Sequence, residues 1–215
     1  MKQHLIFDLD GTLIDSAPSI LHCFGLAFSS TQTPLAALLT HDVIGPPLME
    51  ALKQLAGSDD ATLLNALAAA FKQHYDTTGY VQSVVFEDVS AMLQQLKDQG
   101  YQLYIATNKR FYPTEKIMAH LGWKAFFSGV YALDYFNPPL KTKAEMIGRV
   151  VADNGLTVQD CLYIGDRLED GVSADANQMA FALVSWGYAG DVAMRKPHWH
   201  SCAQVQDLAG LISTL

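Results

Sequence analysis

The chain has 215 residues, of which 50% are hydrophobic and 17% are charged, so it is apolar enough for a substantial core and is not mainly disordered. Its 14 basic residues against 22 acidic ones give a formal net charge of −8, and no run of Lys or Arg offers the basic patch of a nucleic-acid binder. The three cysteines are scattered along the chain and indicate neither a disulfide framework nor a zinc site.

The sequence also argues against a membrane protein. None of its apolar stretches approaches the roughly 18 uninterrupted residues that a membrane span requires. Asp8 and Asp10 stand where a signal peptide would be apolar. We therefore expect a soluble, cytoplasmic protein that binds neither membranes nor nucleic acid.

Strands and helices alternate over most of the chain. The first predicted strand is the apolar run His4–Phe7, which ends at Asp8-Leu9-Asp10-Gly11. Further strands are predicted at 102–107, 127–132, 161–165 and 180–185, and helices at 90–99, 113–121 and 143–154. This alternation predicts an α/β fold with a Rossmann-like parallel sheet core and helices on both faces.

Residues 16–81 interrupt that alternation, because they contain helical patterns and no convincing strand. The predicted helices are 16–29, 34–40, 47–56 and 61–75. We predict that 16–81 form an inserted all-α cap domain, that 1–15 and 82–215 form the α/β core, and that the hinges lie at 11–17 and 79–87.

Two carboxylates stand directly after the first predicted strand. Asp8 and Asp10 are two residues apart, so their side chains leave the same face of the chain. They lie at the carboxyl end of the strand, where open α/β sheets place their ligands. Such close carboxylates repel one another unless a cation lies between them. An isolated Asp-x-Asp is common in turns, so the interpretation depends on the rest of the chain.

The remaining motifs supply that context. FDLDGTLIDS (residues 7–16) resembles the first motif of the haloacid dehalogenase superfamily of phosphohydrolases, within which the chain is similar to the phosphoglycolate-phosphatase-like and nucleotidase-like branch. Ile105-Ala106-Thr107-Asn108 resembles the second motif, Lys143 fits the lysine of the third, and Gly165-Asp166 with Asp170 fits the fourth. The four motifs occur in the family's order, and the resemblance covers essentially the whole chain.

The resemblance implies a role for each of these residues. Asp8 is expected to be the nucleophile that forms an aspartyl-phosphate, and Asp10 the general acid and base. Asp8, Asp166 and the backbone carbonyl of Asp10 are expected to hold Mg²⁺, which prefers oxygen ligands. The phosphoryl group is expected to meet Thr107, the backbone N–H groups of Asn108 and Lys109, and the ammonium of Lys143. Asp170 is expected to hold the lysine or a metal-bound water.

Several assignments stay open in the sequence. Lys141 competes with Lys143 as the phosphate lysine, although Lys143 adjoins the helical pattern with Thr142 as a plausible N-cap. Lys109 and Arg110 could meet substrate or lie in a solvated loop.

Four further features receive no role from the motifs. Gly45-Pro46-Pro47 resembles the cap loop of the relatives, but it could also be a rigid helix connector. Arg167 and Glu169 could pair with each other at the surface. His198-Trp199-His200 is expected to be a surface strand and not a metal site. Relatives usually carry Pro-Gly where this chain has Glu87-Asp88, which leaves the second hinge geometry open.

The expected activity is that of a Mg²⁺-dependent phosphatase for small phosphate monoesters. Asp10 favours phosphate-ester chemistry, since relatives that cleave carbon–halogen or carbon–phosphorus bonds lack an aspartate there. A sugar phosphomutase of the same superfamily is the alternative, and a non-catalytic phosphate-binding protein is a weaker one. The sequence ranks neither phosphoglycolate, nucleotides nor sugar phosphates as the substrate, and it gives no oligomeric state.

Overall fold

A computed structural model of the protein describes residues 2–188 and 195–215. The strands are β1 (His4–Phe7), β2 (Ile14–Asp15), β3 (Val84–Val85), β4 (Gln102–Thr107), β5 (Phe127–Ala132), β6 (Cys161–Gly165), β7 (Ala180–Val184) and β8 (His200–Cys202). The α-helices are α1 (Ala17–Ser30), α2 (Leu48–Ala56), α3 (Ala61–His74), α4 (Val89–Asp98), α5 (Phe111–His120), α6 (Lys143–Asp153), α7 (Leu168–Ala176) and α8 (Val205–Ser213).

Six of the strands form one parallel sheet in the order β5-β4-β1-β6-β7-β8. Strand β1 lies between β4 and β6, so Phe7 pairs with Ile105 on one side and Ile164 on the other. Its side chains alternate between two hydrophobic clusters, because Leu5 and Phe7 face one and Ile6 faces the other. The predicted α/β sheet with helices on both faces is therefore confirmed.

The two clusters show which helices cover each face. Helices α4, α5 and α8 pack against the first face, and α6 and α7 against the second. Both clusters consist mainly of buried aliphatic and aromatic side chains, as expected of strands that are apolar along their whole length.

The segment 16–81, here called the helical insertion, has a hydrophobic cluster of its own. Helices α1, α2 and α3 pack around buried side chains that include Phe24, Leu52, Leu67 and Phe71. A π-helical turn, Tyr75–Gly79, continues α3. The structure describes all of 16–81, and no strand occurs there, as the sequence predicts.

The prediction of a helix at 34–40 is wrong. Helix α1 ends at Ser30, and Gln32 takes a φ of 54°, after which the chain has no regular structure up to Thr40. Leu35 and Leu38 are exposed, so the segment buries too little apolar surface to hold a helix of seven residues.

The short strands β2 and β3 join the two ends of the helical insertion. They pair antiparallel, with Ile14 opposite Val85. After β3, Asp88 takes the left-handed conformation with a φ of 65°, at the position where the family resemblance leads us to expect glycine. Asp tolerates that conformation better than most residues, so the turn forms without glycine.

No helix in the described part of the chain is long and apolar enough to cross a membrane.

Candidate active site

Acidic and polar side chains collect at the carboxyl edge of the sheet. Asp8 follows β1, Thr107 ends β4, and Asp166 follows β6. Because these three strands are parallel neighbours, their ends meet at the same edge, and all three side chains are buried there. The Asp8 N–H donates to the Ile164 carbonyl at 2.9 Å, which continues the β1–β6 ladder up to the site.

Lys143 brings a buried positive charge to this edge. It is the first residue of α6, whose N-cap Thr142 accepts a hydrogen bond from the Glu145 N–H at 3.1 Å. The Lys143 Nζ lies 2.6 Å from Asp170 Oδ1 and 3.3 Å from Asp8 Oδ2. Burial lowers the pKa of Lys143, but the carboxylates of Asp170 and Asp8 outweigh it and raise the pKa well above its ordinary value.

The two candidate phosphate lysines differ in their positions. Lys141 is exposed, whereas Lys143 is buried beside the carboxylates. The structure therefore brings Lys143, and not Lys141, into contact with Asp8.

Three carboxylates surround one position that suits a cation. Asp8, Asp166 and Asp170 each offer an oxygen, and these oxygens lie within 4.8 Å of one another. Burial, with added repulsion from Asp170 and Asp8, raises the pKa of Asp166 to about 8. Burial also raises the pKa of Asp8 to about 6, although Lys143 partly opposes it.

The net negative charge of this group and its oxygen donor atoms both suit a divalent cation. One lysine does not neutralise three carboxylates, and Asp8 Oδ1 is buried with no hydrogen-bond partner among residues 2–188 and 195–215. The donors are all oxygen atoms, which is the ligand chemistry of Mg²⁺. Asp166 is held in place by the Tyr188 N–H, which donates to Oδ2 at 2.7 Å.

Asp10 lies apart from that group and faces the helical insertion. The Lys109 Nζ lies 3.0 Å from Asp10 Oδ1 and 3.2 Å from Oδ2, and the Ser16 hydroxyl also donates to Oδ1. Its carboxylate is therefore oriented by two donors and is not a member of the three-carboxylate group. Participation of its backbone carbonyl in metal binding stays a prediction.

The loop after β4 is more engaged than the sequence suggests. Thr107 is buried, and its hydroxyl accepts from the Lys109 N–H at 3.2 Å. That N–H is therefore occupied within the loop, which weakens its expected part in a phosphoryl cradle. The Asn108 side-chain amide donates to the Gly45 carbonyl of the helical insertion at 2.9 Å.

Lys109 and Arg110 do not lie in a solvated loop. Besides its contact with Asp10, the Lys109 Nζ lies 4.6 Å from the ring centroid of Tyr75. Burial lowers the pKa of Lys109, but Asp10 and Tyr75 outweigh it and raise the pKa above its ordinary value. Arg110 forms a two-pronged ion pair with Asp76 of the π-helical turn.

Arg167 does not pair with Glu169, contrary to the sequence-based expectation. Its guanidinium donates to the carbonyls of His41 and Ile44 in the helical insertion, the former at 2.6 Å. Gly45 follows with a φ of 106°, and a Cβ there would lie 3.2 Å from Arg167 Nε. The loop around Gly45 is thus tied to the core by Asn108 and Arg167.

Sequence reasoning missed the segment Trp186-Gly187-Tyr188. The Trp186 indole N–H donates to the Thr12 carbonyl at 3.0 Å, and a Cβ at Gly187 would lie 1.9 Å from the Gly11 carbonyl oxygen. The Tyr188 hydroxyl donates to an Asp15 carboxylate oxygen at 2.8 Å and accepts the N–H groups at the start of α1. The available signal was its position directly after β7, at the same edge of the sheet.

The His198-Trp199-His200 segment differs from the surface strand that the sequence predicts. Trp199 is buried against Phe181, although a surface strand was expected, and β8 begins only at His200. His198 contacts Asp175 at 2.9 Å, and no group of metal-binding side chains in the described residues includes it.

A cavity of about 60 Å³ lies between the core and the helical insertion. The core contributes Asp8, Asp10, Thr107 and the residues that follow Thr107, and the insertion contributes apolar side chains. A larger cleft of about 320 Å³ shares Gly45, Pro46 and Asn108 with it and opens beside Lys143.

Comparisons with known proteins agree with this geometry. The family profile described as "Haloacid dehalogenase-like hydrolase" matches residues 5–184. The chain is 32% identical to a 5'-nucleotidase of Pseudomonas aeruginosa over 99% of this chain and 95% of that protein. It is 31% identical to a phosphoglycolate phosphatase of Rhodobacter capsulatus over 99% and 97% of the two chains.

A solved structure gives the same result for the fold. The structure of Protein Tyrosine Kinase A (PtkA) from Mycobacterium tuberculosis superposes with a TM-score of 0.79 and 25% identity, covering 98% of each chain. The profile match spans most of the chain, and the curated relatives align over nearly their whole length. The chain therefore belongs to the haloacid dehalogenase-like hydrolase family, as its motifs indicate, and its relatives support a phosphoric monoester hydrolase.

Proposed function

We propose that this protein is a Mg²⁺-dependent phosphatase that hydrolyses small phosphate monoesters through an aspartyl-phosphate on Asp8. The observation that carries the proposal is the asymmetry of the Asp8 carboxylate. Its Oδ2 faces the Lys143 ammonium at 3.3 Å, whereas its Oδ1 is buried without a hydrogen-bond partner in the described part of the chain. A carboxylate held in this way keeps one oxygen available for a phosphorus atom or a cation.

The first half of the reaction transfers the phosphoryl group to Asp8. An Asp8 oxygen forms a bond to phosphorus while the bond from phosphorus to the alcohol oxygen breaks, and Asp10 gives its proton to that leaving oxygen. Lys143 and the Thr107 hydroxyl offset the charge on the phosphoryl oxygens. Asp10 suits this task, because it lines the cavity and its orientation is fixed by Lys109 and Ser16.

The second half releases phosphate. Water attacks the phosphorus of the aspartyl-phosphate, Asp10 accepts the proton of that water, and the bond from phosphorus to Asp8 breaks. Mg²⁺, held by Asp8, Asp166 and the Asp10 carbonyl, would neutralise negative charge between the carboxylates and the phosphoryl oxygens. Asp170 orients Lys143 through their contact at 2.6 Å.

The helical insertion is proposed to act as the cap of the site. Residues 16–81 would form the cap and 1–15 with 82–215 the core, since the insertion has its own hydrophobic cluster and covers Asp8 and Asp10. A closed cap excludes water from the first transfer. A cytoplasmic location and a small-molecule phosphate ester as the substrate are also part of this proposal.

Phosphate release from a panel of metabolite monoesters, with Mg²⁺ and with EDTA, tests the proposal. We expect release that needs Mg²⁺ and is lost in Asp8→Asn. Asp10→Asn should lose more activity on alkyl esters than on an aryl ester, whose leaving group needs no proton. A silent panel would contradict the phosphatase function, and a silent panel with phosphorylated Asp8 would favour the phosphomutase.

A further inference from the structure

The lining of the cavity beside Asp8 and Asp10 indicates which alcohol the substrate ester releases. On the basis of the proposed phosphatase function, we infer that the enzyme selects monoesters of small uncharged alcohols over esters whose alcohol carries a carboxylate. The two curated relatives named above act on substrates of different kinds, as their names state, so family membership does not decide this question.

The wall of the cavity opposite the carboxylates is apolar. It is formed by side chains of the helical insertion, which are Ile20, Phe24, Val43, Ile44, Leu48 and Phe71. Five of these are buried in the insertion's hydrophobic cluster, and Leu48 packs against it. A charged group pressed against these six side chains would lose its hydration and gain no hydrogen bond in return. Tyr75 of the insertion also lines the cavity, and its buried hydroxyl, which has no hydrogen-bond partner among the described residues, offers a neutral hydrogen bond to an alcohol.

The two cations that line the cavity are already paired. The Lys109 Nζ contacts both oxygens of Asp10, and the Arg110 guanidinium contacts both oxygens of Asp76. All four side chains are largely buried, with exposed fractions of 5% and 9% in the first pair and 16% and 19% in the second. A substrate carboxylate that binds here would have to share Lys109 with Asp10 or Arg110 with Asp76, so each buried cation would face two carboxylates and compensate neither fully.

The small volume of the cavity favours a small leaving group. Its volume of about 60 Å³ is well below the roughly 150 Å³ of a cavity that admits benzene. A leaving group of a few carbon atoms fits inside it. A larger one must extend past Gly45 and Pro46 into the adjoining cleft.

Three esters of equal length separate charge from size. They are phosphoglycolate, 2-hydroxyethyl phosphate and phosphoethanolamine, whose leaving groups carry a negative, no and a positive charge. We expect kcat/KM for 2-hydroxyethyl phosphate to exceed that for either charged ester by about tenfold or more, because burying an unpaired charge is costly.

An Asp76→Asn variant reverses part of this selectivity. It frees the Arg110 guanidinium at the cavity, so kcat/KM for phosphoglycolate should rise while that for 2-hydroxyethyl phosphate changes little. The double variant Asp76→Asn with Arg110→Gln should lose the gain. Asp59→Asn, an exposed change on the same insertion, is the matched control and should leave the ratio unchanged.

The outcomes separate this inference from the function on which it rests. Wild-type activity on phosphoglycolate equal to or above that on the neutral ester would overturn the inference and leave the phosphatase function intact. If the wild type prefers phosphoglycolate and Lys109→Met loses that preference, Lys109 binds the carboxylate of phosphoglycolate. Hydrolysis of none of the three esters would contradict the phosphatase function and this inference with it.

Discussion

The Lys143 ammonium lies 2.6 Å from Asp170 Oδ1 and 3.3 Å from Asp8 Oδ2, so one buried cation holds two buried carboxylates. All three side chains are almost completely excluded from solvent. In this setting the lysine compensates the charge of both buried carboxylates and orients Asp8 at the same time. Its removal therefore has two measurable consequences.

Lys143→Met should abolish activity and destabilise the protein. Loss of one partner leaves buried carboxylates uncompensated, which costs about 3–5 kcal/mol of unfolding free energy, and phosphate release should fall by about 100-fold or more. Denaturant unfolding and a phosphate assay measure the two effects. Lys141→Met is the matched control, because Lys141 is exposed two residues earlier. Equal effects of the two substitutions would contradict the assignment.

Mg²⁺ should stabilise the protein through the three-carboxylate group. A ligand that binds only the folded state at 100 times its Kd adds about 2.7 kcal/mol, which raises Tm. Asp166→Asn should reduce this Tm shift sharply, whereas Asp59→Asn, an exposed change, should retain it. A wild-type Tm that does not change on addition of Mg²⁺, or an undiminished Tm shift in Asp166→Asn, would argue against a Mg²⁺ site at these carboxylates.

The contact between Arg167 and the loop at Gly45 should affect turnover. Arg167→Ala removes the donors to the His41 and Ile44 carbonyls, and kcat/KM should fall about tenfold as the loop loses its hydrogen bonds to the core. Steady-state kinetics measure this change. Glu169→Ala is an exposed control on the same turn. Unchanged kinetics in Arg167→Ala would show that the loop needs no such restraint.

Asp175 should contribute stability that acid removes. Burial raises the pKa of Asp175, but hydrogen bonds from Lys196, His198 and Trp199 outweigh it and lower the pKa to about 2. Because the folded pKa lies below the unfolded value of 3.8, the stabilisation is complete above about pH 4 and is lost as the pH falls toward 2. After solvent screening, its size is about 1 kcal/mol.

Comparing unfolding of the wild type and Asp175→Asn from pH 6 to pH 2 isolates this contribution. The difference in unfolding free energy between the two proteins should shrink as the pH falls through that window. Asp59→Asn serves as the exposed control. A difference that stays constant with pH would show that the Asp175 contacts carry no electrostatic stabilisation.

Much of the fold follows from local patterns. The central strands are almost continuously apolar, so their bounds could be predicted within a residue or two. The same apolar runs, alternating with helices, predict a parallel arrangement. Lys143 could be preferred to Lys141 because Thr142 is a suitable N-cap, and Thr142 does cap α6. These features depend on neighbouring residues in the chain.

The contacts that the sequence did not reveal join distant segments. Lys109 meets Asp10, Arg167 meets the carbonyls at His41 and Ile44, and Tyr188 meets the start of α1. Nothing in the composition around Arg167 distinguishes a guanidinium that binds backbone carbonyls from one that pairs with a nearby glutamate. Such assignments need the arrangement of the helical insertion over the sheet edge, which only tertiary packing sets.

Identification of the phosphorylated residue tests the central claim most directly. The protein is mixed with a hydrolysed monoester and Mg²⁺, quenched in acid within a turnover, and analysed by peptide mass spectrometry with and without hydroxylamine, which cleaves acyl phosphates. The account predicts a hydroxylamine-sensitive phosphate on Asp8 that is absent from Asp8→Asn. Phosphate release by the wild type with no label on Asp8, or undiminished turnover in Asp8→Asn, would contradict it.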